Sequence, residues 1–428
     1  MTELYAVIGK PVLHSRSPQM HNAAFAELKI DARYFRIAAE SAEEGLRMAG
    51  EMGVLGMNVT SPFKGIARLM DDVDPLAKRV GAINTVRLKD GRKAGHNTDV
   101  YGAAHAFLSN GIALEGKKAL VLGAGGAARA AIVAMLENGA DVVVSNRTAG
   151  KAESLANGFG AGSCALDGLN DAIADCELVV GCLSTGERVL PEGLLRKDMA
   201  VMDAHYASES ALVRDAREAG CRVLDGREWL LYQGVKAFEI FTGKDAPVDA
   251  MRQAAYAADA PKKSNIALIG FMGSGKDTIA AELHEKTGMA ILDIDKEIER
   301  KAGMAIKDIF KSEGEEGFRK MERGALASVA GCERCVINCG GGAVLDAGNR
   351  RMLRDKAAVV WLWADAKTVI ERVPKDGERP LLDVAEPEKA VGRLLSDRLG
   401  YYAEACDMVV DTVGKRPSQI AERILYED

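Results

Sequence analysis

The stretch NIALIGFMGSGKDTIAAEL (265–283) spaces Gly270, Gly273, Ser274, Gly275 and Lys276 as a phosphate-binding loop does. In such a loop backbone N–H groups cradle phosphates, the lysine reaches the β- and γ-phosphates, and a following Ser or Thr hydroxyl holds Mg²⁺. Here the residue after the lysine is Asp277, with Thr278 one position beyond the motif. Mg²⁺ takes oxygen ligands readily, so a carboxylate can bind it in place of the hydroxyl. The cost is a second negative charge near the triphosphate, partly offset by the metal and Lys276. On its own the loop is a doubtful match, and whether the carboxylate abolishes MgATP chemistry or serves as a metal ligand stays open at this point.

A second glycine turn lies in ALVLGAGGAARAAIVAML, where Gly123, Gly125, Gly126 and Ala127 follow an apolar run and open an alanine-rich helical pattern. That context suits a dinucleotide pyrophosphate, because glycines allow close backbone approach and the helix N-terminus offers unpaired N–H groups. An NAD site commonly ends the next strand with an acid, whereas arginine suits the 2′-phosphate of NADP. This chain ends it with Asn146, Arg147 and Thr148, and Lys151 follows one turn on, which favours NADP(H). A third set of polar residues, Ser15, Ser17, Asn58, Thr60, Lys64, Asn84, Asn97 and Asp99, is scattered through the first hundred positions. Alternation about Arg16 would direct both serine hydroxyls to one side, where they suit a carboxylate. Taken singly, such residues read as turns or solvated charges. Cys332, Cys335 and Cys339 form a CxxCxxxC cluster without a fourth ligand, and it runs into an apolar strand, so a structural role is expected rather than a metal site.

The elements that must position these groups alternate between strand and helix, the pattern of parallel sheets covered by helices. YAVIG (5–9), ALVLG (119–123), DVVVS (141–145), LVVG (178–181) and AVMDA (200–204) read as buried strands. NIALIG, AILDID, CVINCGGG, AVVWLWA and DMVVDT make a second set. The expected organisation is α/β throughout. A substrate domain over 1–100 takes helices near 230–258 back onto it, a nucleotide domain covers 101–230, a linker covers 256–264, and a P-loop domain with a parallel sheet covers 264–428. The chain of 428 residues is 48% hydrophobic and 28% charged, enough for more than one core. Its net charge of −6 argues against a nucleic-acid surface, and no run is long enough for a membrane span. Eight scattered cysteines and an N-terminus that starts straight into a strand suit a cytoplasmic protein.

In order, HSRSP, NVTSPFK, GAINT, NTD, GAGGAAR and NRT resemble the shikimate dehydrogenase family over about residues 4–250. The resemblance implies a Rossmann domain and NADPH-dependent reduction of 3-dehydroshikimate. Lys64 and Asp99 would be the catalytic pair; Ser15, Ser17 and Tyr206 would bind the substrate carboxylate, and Thr60, Asn84 and Gln233 its ring hydroxyls. The chain departs from the family at GCLSTGERV (181–189), at Trp229 and after Tyr206, where proline is missing.

Beyond residue 264, the loop, the pair Asp293 and Asp295, Arg319, the triplet Gly340, Gly341 and Gly342, Arg379 and Arg398 resemble shikimate kinase. That resemblance gives Asp295 the 3-hydroxyl of shikimate, Arg319 and Arg398 its carboxylate, and the triplet close approach to the ring. Lys276 and Arg379 would serve the transferring phosphoryl group, Arg372 the adenine, and Asp277 with Asp293 the Mg²⁺. On spacing alone, Asp295 reads equally as a helix N-cap. Gly400, where the family commonly has proline, is expected to loosen its helix. Together the two resemblances imply a bifunctional enzyme whose first product is its second substrate. With Asp277 in the loop, two other readings stay open: an active dehydrogenase joined to a degenerate kinase, or a regulator that senses these metabolites.

Overall fold

The computed structural model describes residues 2–183, 186–206, 208–259, 261–329, 331–373 and 386–427. The chain forms two compact units: Met1–Pro18, Lys29–Phe63 and Ala258–Asp428 make one, and Gln19–Leu28 with Lys64–Ala257 makes the other. The first unit thus joins the start of the chain to its kinase-like part.

In this first unit the strands run in the order Ala290–Asp293, Cys335–Asn338, Asn265–Ile269, Ala357–Trp363, Met408–Asp411, Ala32–Ala38, Glu3–Gly9 and Val54–Val59. Every neighbouring pair among them is parallel. Six of the eight are apolar runs read from the sequence, whereas Ala32–Ala38 and Val54–Val59 are not among them. All but the edge strand Ala290–Asp293 are largely buried, because parallel sheets carry helices on their faces. Val409 pairs with Ile37, so the sheet of the kinase-like part continues into the N-terminal strands. Aromatic packing reinforces that junction: Trp361, 1% exposed, stacks on Tyr402 at 5.2 Å and lies 6.0 Å from Phe35. The helix Pro387–Ala405 runs unbroken through Gly400. A methyl group there would meet Thr2 Oγ1 at 2.9 Å, so the glycine makes room for the N-terminal strand rather than loosening the helix.

The second unit contains a parallel sheet ordered Arg222–Leu224, Ala200–Asp203, Leu178–Gly181, Lys118–Leu122, Asp141–Ser145 and Gly162–Cys164. The chain reverses its strand order beside Lys118–Leu122, which opens a crevice at the carboxyl ends of the strands. Helix Gly126–Glu137 covers one face with seven buried residues, Ala128 and Ile132 among them. The helices Asp99–Leu108 and Gly226–Thr242 pack closely, and Gly102 permits it: a methyl group there would lie 2.7 Å from the Trp229 backbone oxygen. Trp229, read above as a family departure, is the residue that fills this contact, and it is buried.

Candidate active sites

In the second unit Lys64 Nζ donates to Asp99 Oδ2 at 2.6 Å. Asp99 is the first residue of its helix, where the helix dipole favours a carboxylate, and only 8% of it is exposed. The Lys64 carbonyl accepts from the Ile83 N–H at 2.8 Å, which ties the lysine to the GAINT segment. Asn84 in that segment accepts from the Thr98 N–H at 2.7 Å, donates to Thr98 Oγ1 at 3.0 Å and reaches Gln233 Oε1 at 3.5 Å. Lys64, Asn84, Asp99 and Gln233 therefore converge, with Thr98 as a bridging residue that motif reading did not single out. A lysine held by a carboxylate beside amides is equipped to protonate a developing alkoxide while the amides orient neighbouring hydroxyls. Tyr206 packs against the start of helix Gly226–Thr242, where a methyl group on Gly226 would come 3.3 Å from its Cβ.

The glycine turn of this unit follows strand Lys118–Leu122. Gly123 takes a φ of +121°, and a methyl group there would strike the Cys182 carbonyl at 2.6 Å. Gly125 caps helix Gly126–Glu137, and a methyl group at Gly125 or Gly126 would meet open space. Beside the turn is a cavity of ≈ 470 Å³ lined by Arg79, Ala124, Arg129, Lys151 and Ser154 among others. Arg147, Thr148 and Lys151 are exposed after strand Asp141–Ser145, and Asn146 donates to the Thr148 carbonyl. An open glycine turn flanked by cations fits a dinucleotide carrying an extra phosphate. Ser184 and Thr185, in the divergent segment after Cys182, lie outside the described residues.

In the first unit Ser15 Oγ and Ser17 Oγ are 3.3 Å apart. Strand alternation does not bring them together. Ser17 opens helix Ser17–Glu27 and Ser15 lies in the turn before it, which converges the hydroxyls. Thr60 packs on Gly9, where a methyl group would come 2.4 Å from Thr60 Cγ2.

The kinase-like site is organised by its glycine triplet. A methyl group at Gly340 would lie 2.7 Å from Asp295 Oδ1, and one at Gly342 would lie 2.3 Å from Arg319 Nη2. A methyl group at Gly341 would lie 3.5 Å from the Met272 backbone nitrogen of the phosphate loop, and the Gly341 carbonyl accepts from Arg398 at 3.4 Å and Tyr402 at 2.6 Å. Lys276 donates to the Gly270 and Phe271 carbonyls at 3.0 Å each. Gly270, Gly273 and Gly275 all have positive φ, a conformation that L side chains adopt rarely. Ser274 is fully buried under the loop. Arg372 bridges the Gly273 carbonyl to Thr412 beside it. Arg379 lies outside the described residues.

The two aspartates divide their roles differently from the spacing argument. Asp293 is the N-cap of helix Ile294–Ala302, accepting from the Lys296 N–H at 3.1 Å, whereas Asp295 is the second residue of the helix, within its first turn. Asp295 Oδ1 is buried without a hydrogen-bond partner among the described residues, and burial, then the neighbouring Asp293, push its carboxyl above the usual range. Asn338 donates to Asp277 at 2.6 Å and to Asp293 at 3.3 Å, so one amide gathers both carboxylates. Asn338 Oδ1 is likewise buried and unpartnered among the described residues. Two gathered carboxylates suit a hydrated Mg²⁺, which normally takes one or two from protein and the rest from phosphate and water. Among the described residues no group of three or more His, Cys, Asp or Glu is placed to hold a metal by itself.

Motif reading missed Asn338 and Glu322. Glu322 is completely buried, pairs with Arg319 at 2.9 Å, and is held above the usual carboxylate range by burial despite that arginine. Its signal was present as an i,i+3 partner of Arg319. Asn338 gave another, as the last residue of a strand two positions before the triplet.

Comparison with known proteins adds identity to this geometry. Shikimate dehydrogenase (NADP(+)) of Halorubrum lacusprofundi is 47% identical over 267 residues, covering 59% of this chain and 97% of the relative. The chain belongs to the shikimate dehydrogenase family. Family models agree along its length: the shikimate dehydrogenase substrate binding domain matches residues 7–86, shikimate / quinate 5-dehydrogenase 104–207, and the shikimate 5′-dehydrogenase C-terminal domain 226–256. Residues 272–427 match the shikimate kinase model, so the chain is a fusion of the dehydrogenase family with a shikimate kinase domain. Among solved structures, shikimate dehydrogenase of Aquifex aeolicus is 36% identical with a TM-score of 0.57, covering 60% of this chain and 98% of that one. The Thermus thermophilus dehydrogenase, solved in complex with NADP(H) and shikimate, is 35% identical with a TM-score of 0.55, covering 59% and 98%. No helix among the described residues is long and apolar enough to cross a membrane.

Proposed function

We infer that this chain reduces 3-dehydroshikimate to shikimate with NADPH and then phosphorylates shikimate at its 3-hydroxyl with ATP. The observation that carries the second half is the triplet Gly340–Gly342. Side chains at its three positions would meet Asp295, the phosphate loop and Arg319 in turn, so a nucleotide phosphate and a carboxylate-bearing ring would share one cradle.

In the reduction, Ser15, Ser17 and Tyr206 bind the substrate carboxylate, and Thr60, Asn84 and Gln233 take ring hydroxyls. Gly123, Gly125, Gly126, Ala127, Asn146, Arg147, Thr148 and Lys151 would hold NADPH, which when bound would supply the hydride. Lys64 gives a proton to the carbonyl oxygen as charge grows there, and Asp99 fixes the ammonium in place. In the transfer, Arg319 and Arg398 pair with the shikimate carboxylate, Asp295 accepts the proton of the 3-hydroxyl, and that oxygen attacks the γ-phosphorus as the bond to ADP breaks. Lys276 and Arg379 balance charge on the moving phosphoryl group, and Arg372 flanks the adenine. Mg²⁺ would be held by Asp277 and Asp293, where it offsets triphosphate charge. Eight unpaired cysteines suit a cytoplasmic setting.

Each half is tested alone on the full chain. Shikimate with NADP⁺ should yield NADPH, and shikimate with MgATP should yield ADP; silence in either assay removes that half. Arg147→Ala should raise the KM for NADPH about tenfold or more and leave that for NADH nearly unchanged, since only the former carries the phosphate. Equal losses with both nucleotides would remove Arg147 from that role. Asp277→Ser should keep or raise kinase turnover and lower the Mg²⁺ concentration giving half-maximal rate, measured by ADP release. Loss of turnover in this variant would mean the carboxylate does something a hydroxyl ligand does not.

A further inference from the structure

We propose that Glu427, on helix Pro417–Glu427 of the kinase-like part, is a positioning residue for the dehydrogenase reaction. It would act by fixing the turn that presents Ser15 and Ser17; the inference rests on the proposed role of those serines in binding the substrate carboxylate. One oxygen of Glu427 accepts from the Val12 N–H at 2.7 Å and the Leu13 N–H at 2.8 Å. The turn closes when the Ser15 N–H donates to the Val12 carbonyl at 3.0 Å. At its other end Arg36 donates to the Ser15 carbonyl from Nε at 3.1 Å and Nη2 at 2.6 Å, while its Nη1 donates to the Asp407 carbonyl at 3.2 Å.

Glu427 is held in turn. Its second oxygen pairs with Arg423 at 2.5 Å, and the Glu427 side chain is fully buried. Arg423, 3% exposed at its side chain, also reaches the carbonyls of Gly9 at 3.3 Å, Ala38 at 3.5 Å and Ala39 at 3.5 Å, and Glu40 Oε1 at 3.2 Å. A buried carboxylate taking two backbone N–H donors makes charge-assisted bonds, about twice as strong as neutral ones. Val12 and Leu13, which lead into Ser15 and Ser17, are therefore braced by a carboxylate more than 410 positions away in the chain.

A ligand site set by this brace loses affinity when the brace is cut, while the chemical step at Lys64 is untouched. In the full-length chain, Glu427→Ala should raise the KM for 3-dehydroshikimate about tenfold, with kcat, the KM for NADPH and the kinase KM for shikimate nearly unchanged. Glu427→Gln retains one acceptor and should raise that KM less, by about threefold. It decides the matter if the alanine variant fails to fold. Ser15→Ala is measured alongside. A raised KM in Ser15→Ala with unchanged KM in both Glu427 variants would overturn the bracing role alone. An unchanged KM in Ser15→Ala would overturn the carboxylate role of the turn, and the inference with it.

Discussion

Replacing Lys64 by methionine should lower kcat for 3-dehydroshikimate reduction by about 10³-fold, within the usual range for removing a positioned general acid. Lys64 Nζ lies 2.6 Å from Asp99 Oδ2, and the pair is backed by Asn84, Thr98 and Gln233, so the ammonium has a fixed direction. Methionine keeps the length and apolar stem of the side chain but has no proton to give. Substrate binding should change little, because the carboxylate and ring hydroxyls are assigned to other residues. Phosphorylation of shikimate by ATP should stay within about twofold of its original rate, since the kinase chemistry uses none of these groups. Asp99→Asn should lower kcat too, by a smaller factor, because the amide can still accept a hydrogen bond from the ammonium without its charge. Steady-state NADPH oxidation and ADP release, followed separately, check both statements.

The complementary result is expected at Asp295. Asp295→Asn should reduce kinase kcat by about 10²–10⁴-fold while leaving the dehydrogenase intact. Its Oδ1 is buried against Gly340 and unpartnered among the described residues, which is where a substrate hydroxyl would be received. If Asp295 served only as a first-turn acid of helix Ile294–Ala302, the change would cost about 0.3–1 kcal/mol of stability and leave turnover alone. Capping falls to Asp293 instead, whose carboxylate already accepts from the Lys296 N–H. A kinase rate unaffected by Asp295→Asn would return Asp295 to that lesser role.

Local pattern carried much of this molecule. The apolar runs that read as strands are strands, because parallel strands buried on both faces need continuous hydrophobic stretches. The glycine turns at Gly123 and Gly270 occupy the positive-φ positions that motif spacing implies. Where the spacing argument failed, tertiary geometry decided. Ser15 and Ser17 meet through a helix start, not strand alternation, and the strand ends at Asp293, so the cap falls on Asp293 rather than Asp295. Gly400 looked like a weak point in a helix, but packing against Thr2 explains it. Glu322 and Asn338 were overlooked because a buried glutamate and a strand-end asparagine carry no motif of their own; only the folded site brings them to Arg319 and Asp277. The contact between Val12 and Glu427 spans 415 positions, and no window of sequence contains it.

The central claim is that one chain makes shikimate and consumes it. The direct test supplies 3-dehydroshikimate, NADPH and MgATP together to the purified full-length protein, follows NADPH loss and ADP formation, and weighs the product by mass spectrometry. The expected outcome is equal amounts of NADP⁺ and ADP with accumulation of shikimate 3-phosphate. NADPH loss without ADP, leaving free shikimate, would contradict the account.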